Sequence, residues 1–136
     1  MRALILTLVL TAAAAAPAPA AGPDPAEGRA AFERHCAACH GRAAQGDGPM
    51  AEILTMPVPD LTRLAARAGG AFPMLRVVRV IDGRDARAGH GGPMPVFGAL
   101  FDGPGGALDA EGGDPLLTNG RILSIADYLE SLQVAP

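Results

Sequence analysis

Apolar positions recur with a helical period along much of this chain, and no alternation of strand type runs for a useful length. The clearest stripe is Ile122, Ile125, Ala126, Leu129 and Leu132, spaced i, i+3, i+4, i+7, with Tyr128 beside it; it predicts a final helix. A first helix is expected from Asp24 to about Cys39. Asp24 can cap its free amides, Pro25 fits the first turn, and Glu27 stands at the reciprocal capping position. Ala31 and Phe32 supply its apolar contacts. Between these two, Asp60 can cap a helix through Ala68 that Gly69-Gly70 ends, and Pro73 can open another through Ile81 that Gly83 stops. Shorter turns of helix are expected at Pro49–Leu54 and Val96–Phe101.

The intervening segments read as loops. Gly46-Asp47-Gly48-Pro49 is a strong turn signal within Gly41–Pro49, and Met56-Pro57-Val58-Pro59 must be extended because each proline biases its predecessor away from helix. Gly83–Pro95 is rich in Gly and Pro and suggests a specialised loop, and Gly103–Gly113 reads as surface loop. The prediction is one all-α domain of about four to five helices joined by long loops.

Residues 1–21 stand apart. Arg2 precedes an apolar run from Ala3 to Leu10, and Ala18-Pro19-Ala20 has the small-residue pattern that signal peptidases accept. The segment is expected to be a signal peptide directing export to the periplasm, leaving 22–136 as the domain; the alternative is a retained N-terminal anchor. Nothing after it is long and apolar enough to span a bilayer.

Composition adds that this domain is short of core. There is no Trp, one Tyr and four Phe, against 18 Gly and 13 Pro. A small domain with so few large side chains needs reinforcement, and a large apolar cofactor would supply it. All 11 basic residues are Arg, and 14 acids give a net charge of −3, one unit more negative once Arg2 is lost. That balance argues against nucleic-acid binding, which needs a basic face.

Cys36-Ala37-Ala38-Cys39-His40 carries the chemistry. Residues three and four apart share a helix face, so both thiols and the imidazole can address one object. Two thiols in this arrangement can form thioethers to the vinyl groups of a haem while the histidine ligates its iron; C-x-x-C-H is the c-type attachment sequence. A redox disulfide of this spacing would be expected beside a βαβ pattern, which is absent from the reading. A structural zinc would need a second spaced pair of ligands, and only His35 and His90 remain.

The iron's other axial ligand must come from elsewhere. Met94 sits in Gly91-Gly92-Pro93-Met94-Pro95, where prolines stiffen the backbone on both sides and glycines allow close approach to a flat ring. Such a segment can fix an otherwise flexible thioether. Met56, before Pro57, is the strongest rival among the other methionines, and His90 is the other candidate. His35 lies about 100° round the helix from Cys36 and reads as structural or exposed.

With these residues in hand, the chain resembles the class I mono-haem cytochromes c of bacterial periplasmic type, over about Asp24 to Leu132. The resemblance rests on the haem motif with Gly46–Pro49, Pro59–Thr62 and Met94–Gly98. It implies a cytochrome c fold wrapped around one haem c, bound through Cys36 and Cys39, with His40 and Met94 as iron ligands. It further implies that Pro59, with Pro57 as the alternative, offers its carbonyl to the His40 ring. Gly28 and Phe32 on the first helix would then pack against Ile125 and Tyr128 on the last. Gly103–Gly113 departs from the pattern as a long insertion. The expected role is one-electron transfer rather than enzymatic turnover, as a monomeric shuttle or a small subunit of a periplasmic redox complex. Its redox protein partners are expected to present basic docking patches to this acidic chain.

Overall fold

The computed structural model describes residues 23–85, 94–109 and 115–134. The expected signal segment 1–21 and His90 lie outside them. Among the described residues the chain forms helices α1 (Pro25–His35), α2 (Ala37–His40), α3 (Leu64–Arg67), α4 (Met74–Asp82) and α5 (Gly120–Ser131). Strands β1 (Gly105–Leu108) and β2 (Leu116–Asn119) pair antiparallel ahead of α5. The fold is thus mostly helical with one small sheet. None of these helices is long and apolar enough to cross a membrane.

The expected first helix is two. Asp24 caps α1 by accepting from the Ala26 amide at 2.9 Å, and Pro25 occupies the first turn. At Cys36 the backbone stays in the right-handed region but opens to φ −117°, ψ −32°, and α2 starts afresh. Glu27 does not close a capping box. The Asp24 amide donates instead to Ser124 Oγ at 3.1 Å, and Glu27 pairs with Arg121 at 3.5 Å, so both groups that could have capped locally tie α1 to α5.

The α1/α5 crossing is the centre of the core. A Cβ on Gly28 would fall inside the Ser124 carbonyl, so only glycine lets the two helix backbones come this close. Phe32, 1% exposed, meets the Tyr128 ring at 5.6 Å, and Ile122, Ile125, Ala126 and Leu129 complete the seam. Burying a side chain the size of Phe32 contributes about 2–3 kcal/mol, so this joint anchors the domain. Asn119 caps α5 through the Arg121 amide at 2.9 Å. Val77, Val78 and Ile81 of α4 join the same core, and Gly83 ends α4 in the left-handed region that terminates helices.

Three expectations shorten or change. Pro49–Leu54 forms only a 3-10 turn at Ala51–Ile53. The helix capped by Asp60 opens as a 3-10 turn, Leu61–Arg63, before α3; Asp60 accepts from the Thr62 amide at 2.8 Å, as expected of a cap. Part of Gly103–Gly113 is β1 rather than irregular loop, in register Leu108↔Leu116 and Gly105↔Asn119. Gly105 and Gly106 hide the alternation that would betray a strand, and pairing across the insertion creates it. Leu108 and Leu116 pack on the core while Leu117 points outward.

Candidate functional site

Within α2 the amides of Cys39 and His40 both bond the Cys36 carbonyl, at 3.1 and 2.9 Å. That single turn puts both sulfurs and the imidazole along one cavity wall, as the spacing predicts. The loop after it then folds back over the helix end. The amides of Gly46, Gly48 and Met50 donate to the carbonyls of His40, Cys39 and Ala38 at 2.8, 3.1 and 2.9 Å. These are the groups a helix C-terminus leaves without partners, so the loop completes α2. A Cβ on Gly48 would lie 2.5 Å from the Ala38 carbonyl oxygen, which is why the turn needs glycine there.

The same loop places Pro59. The Leu61 amide donates to the Ala44 carbonyl at 2.7 Å, pinning the extended segment against the loop. The chain after α5 secures it from the other side: Gln133 Nε2 donates to the Leu61 carbonyl at 2.8 Å, and its Oε1 accepts from the Ala65 amide at 2.9 Å. His40 Nδ1 lies 3.4 Å from the Pro59 carbonyl oxygen, a long contact in which the ring nitrogen must be the donor. Donation from Nδ1 leaves Nε2 bare for another partner. Burial holds the His40 pKa below its ordinary value, and the Pro59 bond partly offsets this. The neutral ring is the form that ligates a metal.

Two cavities meet here. One, of about 210 Å³, is lined by the Cys36 and Cys39 sulfur-bearing side chains with Leu54, Met56, Val58 and Phe97 among its walls. The other, of about 390 Å³, lies against Leu61, Leu64, Val77, Val80, Ile81 and Leu129. His40, Pro59 and Met94 line both, so the two are halves of one apolar cleft far larger than a water's share of roughly 30 Å³. Both cysteines are half-buried, and burial, reinforced by the neighbouring Cys39, pushes the Cys36 thiol up to about 11. Redox and metal-binding cysteines are driven the other way, toward thiolate. Among the described residues no three His, Cys, Asp or Glu side chains gather as a metal cage.

Met94 is half-buried and packs against the core. Its segment hangs from the end of α4: the Phe97 amide donates to the Ile81 carbonyl at 3.0 Å, and a Cβ on Gly98 would lie 2.5 Å from the Asp82 carbonyl oxygen. Asp82 is buried there with the Arg84 guanidinium 2.7 Å from its Oδ2, an ion pair without hydrogen-bond alignment. Met56 reaches only the smaller cavity and is 57% exposed, Met50 and Met74 reach neither half, and Pro57 lines the smaller half without bonding His40. His35 is exposed as expected, yet its ring packs edge-on against Phe97 and Phe101 at 6.3 and 5.1 Å. Gln133, Ala44 and Asn119, whose side chain donates to the Phe101 carbonyl at 2.9 Å, support the site without any signal in the sequence.

A cleft walled by aliphatic side chains, with two thiols and a bare imidazole nitrogen at one wall, fits a flat apolar macrocycle. Comparison with curated proteins and with solved structures finds no match. The cytochrome c family model matches residues 25–133, which takes in every element from α1 to α5. With that match spanning the cleft and its C-x-x-C-H wall, the chain belongs to the cytochrome c family.

Proposed function

We propose that the chain is an exported, periplasmic one-electron carrier of class I type, working as a free shuttle or as the small cytochrome subunit of a redox complex. Membership of the family implies haem-based electron transfer with haem c and redox protein partners. The finer reading is that Cys36 and Cys39 carry the thioethers, His40 and Met94 bind the iron, and Pro59 orients His40. One observation carries it: His40 and Met94 line both halves of a single apolar cleft that the two cysteines border.

When bound, the haem supplies a one-electron Fe(II)/Fe(III) couple. The chain's residues set how that couple behaves. The Pro59 carbonyl fixes the His40 ring and makes it a stronger donor. A Met94 thioether as the second ligand and the apolar walls of the cleft would both favour the reduced state and a high potential. Held by both His40 and Met94, the iron would offer no open position to a small ligand, which would suit a carrier rather than an enzyme. The smaller cavity opens between Met56, Pro57 and Pro95, all exposed, and this rim suits brief contact with a partner. The excess of 14 acids over 11 arginines supports a partner with a basic patch, and transfer rates that ignore ionic strength would remove that part of the reading.

The test is an absorption spectrum of the oxidised protein beside Met94→Ala. The wild type is expected to show the weak sulfur-to-iron charge-transfer band, and the variant to lose it while keeping its covalent haem. A band that survives the substitution would move the ligand to Met56 or elsewhere.

A further inference from the structure

The Pro59 carbonyl that faces His40 belongs to an extended segment with no helix or strand ladder of its own. Its place is set at Leu61, just downstream, whose backbone is gripped from both sides. The Leu61 amide donates to the Ala44 carbonyl at 2.7 Å, and Ala44 lies in the loop that the Gly46 amide bonds back to His40. That grip moves with the imidazole, so it cannot by itself fix a separation from it. The Leu61 carbonyl accepts from Gln133 Nε2 at 2.8 Å, from the chain end that follows α5. This second grip refers the segment to the α1/α5 core, and the Val134 amide adds to it by donating to the Thr62 carbonyl at 3.0 Å.

Gln133 has the chemistry that this place demands. Its Nε2 donates to the Leu61 and Leu129 carbonyls at 2.8 and 2.7 Å, and its Oε1 accepts from the Ala65 amide at 2.9 Å. Both amide hydrogens and the oxygen are thus engaged, and the bond to Leu129 fixes the head group on its own helix. A carboxylate of the same shape would set an oxygen against two carbonyl oxygens. An aliphatic chain would leave all three backbone groups short of a partner, which costs more than a made bond contributes. The contact that depends on this grip is a sensitive one. At 3.4 Å, His40 Nδ1 and the Pro59 carbonyl stand at the long end of bonding range, where a small displacement decides whether the bond is made.

We propose that Gln133 is a positioning residue for the imidazole ligand: by holding Leu61 against the end of α5, it sets how closely the Pro59 carbonyl approaches His40 Nδ1. This rests on the reading of His40 as an iron ligand, but not on the identity of the distal ligand. A tighter Nδ1–H bond makes the ring a stronger donor to iron and favours the ferric state. A substitution that lets the carbonyl withdraw therefore raises the midpoint potential, although Gln133 itself touches neither the cleft nor His40.

The experiment compares holoprotein carrying Gln133→Glu and Gln133→Met with Leu132→Ala, which removes core packing from the same chain end but none of these bonds. NMR of the reduced protein follows the His40 Nδ1–H resonance and its exchange with solvent. Spectroelectrochemistry gives the midpoint potential, and chemical denaturation the stability. Both Gln133 variants are expected to show an upfield shift of Nδ1–H, exchange about fivefold faster or more, and a raised potential, most of all in Gln133→Glu. Leu132→Ala should lose stability while keeping the Nδ1–H position and the potential of the wild type. Gln133→Met serves if the carboxylate variant fails to assemble. Gln133 variants that lose stability as Leu132→Ala does, with Nδ1–H and potential unchanged, would overturn the proposal. Wild-type His40 ring carbon protons at ordinary aromatic positions, rather than far upfield over the macrocycle, would instead overturn iron ligation by His40 and the proposal with it.

Discussion

The two walls that face each other across the cleft are built differently. On the His40 side, three loop amides bond the carbonyls of α2, the Ala44 carbonyl holds Leu61, and Gln133 holds the Leu61–Ala65 turn. On the Met94 side, no hydrogen bond among the described residues reaches Met94, Pro95 or Val96, and the first backbone anchor is Phe97 on Ile81. From there side-chain packing takes over: Phe97 stacks on Phe101 at 5.5 Å, His35 packs edge-on to both, and the Arg121 guanidinium lies 5.5 Å from the Phe101 ring centre. One wall is held by directional backbone bonds, the other by packing. A hydrogen-bonded wall fails as a unit when broken, whereas a packed wall can loosen locally.

Three substitutions would break or sharpen that contrast. Gly48→Val should have the largest effect, because its side chain would collide with the Ala38 and Cys39 backbone and lift the loop off α2. We expect a loss of about 3 kcal/mol or more in chemical denaturation, with poor haem incorporation. Gly98→Val should act on the other wall only. It pushes the Met94 segment away from Asp82, at a cost of about 1–3 kcal/mol. The sulfur-to-iron band should vanish while the haem stays covalently attached, and equal damage from both variants would dissolve the contrast.

Asp60→Ala should be the mildest, at about 1 kcal/mol for a lost cap on the hydrogen-bonded wall. It also has a pH signature. Hydrogen bonds from Thr62, with Arg67 and Arg63 adding to them, hold the Asp60 carboxyl below the ordinary carboxylate range. A group with a lowered folded pKa stabilises above its unfolded value, near 3.9, and that contribution fades as pH falls through the folded one. The wild type should therefore lose part of its advantage over Asp60→Ala in acid; a difference constant down to pH 2 would contradict the assignment.

The same contrast explains what the sequence revealed. Cys36, Cys39 and His40 are legible because one helical turn brings them together, and Asp24, Asp60 and Gly83 are legible because caps act on amides and carbonyls a few residues away. The α5 stripe is legible because period alone predicts its buried face. Long-range facts were not. Nothing local to Glu27 says that it prefers Arg121 over its own helix end, and nothing around Ala44 says that it sits fully buried with φ +60° under the Pro59 segment. Likewise no breaker residue announces the break at Cys36. Met94 falls between these cases, since its prolines signalled a stiff segment but only the packing of α4 shows which cleft it borders.

The account stands on Met94 and His40 sharing one iron, and the proton NMR spectrum of the reduced protein tests this most directly. If the Met94 thioether binds iron, its methyl group lies over the macrocycle, and the ring current must move that one methionine methyl far upfield. The resonance should be absent in Met94→Ala and present in Met56→Ala. A reduced wild type whose methionine methyls all resonate at ordinary positions would contradict the account.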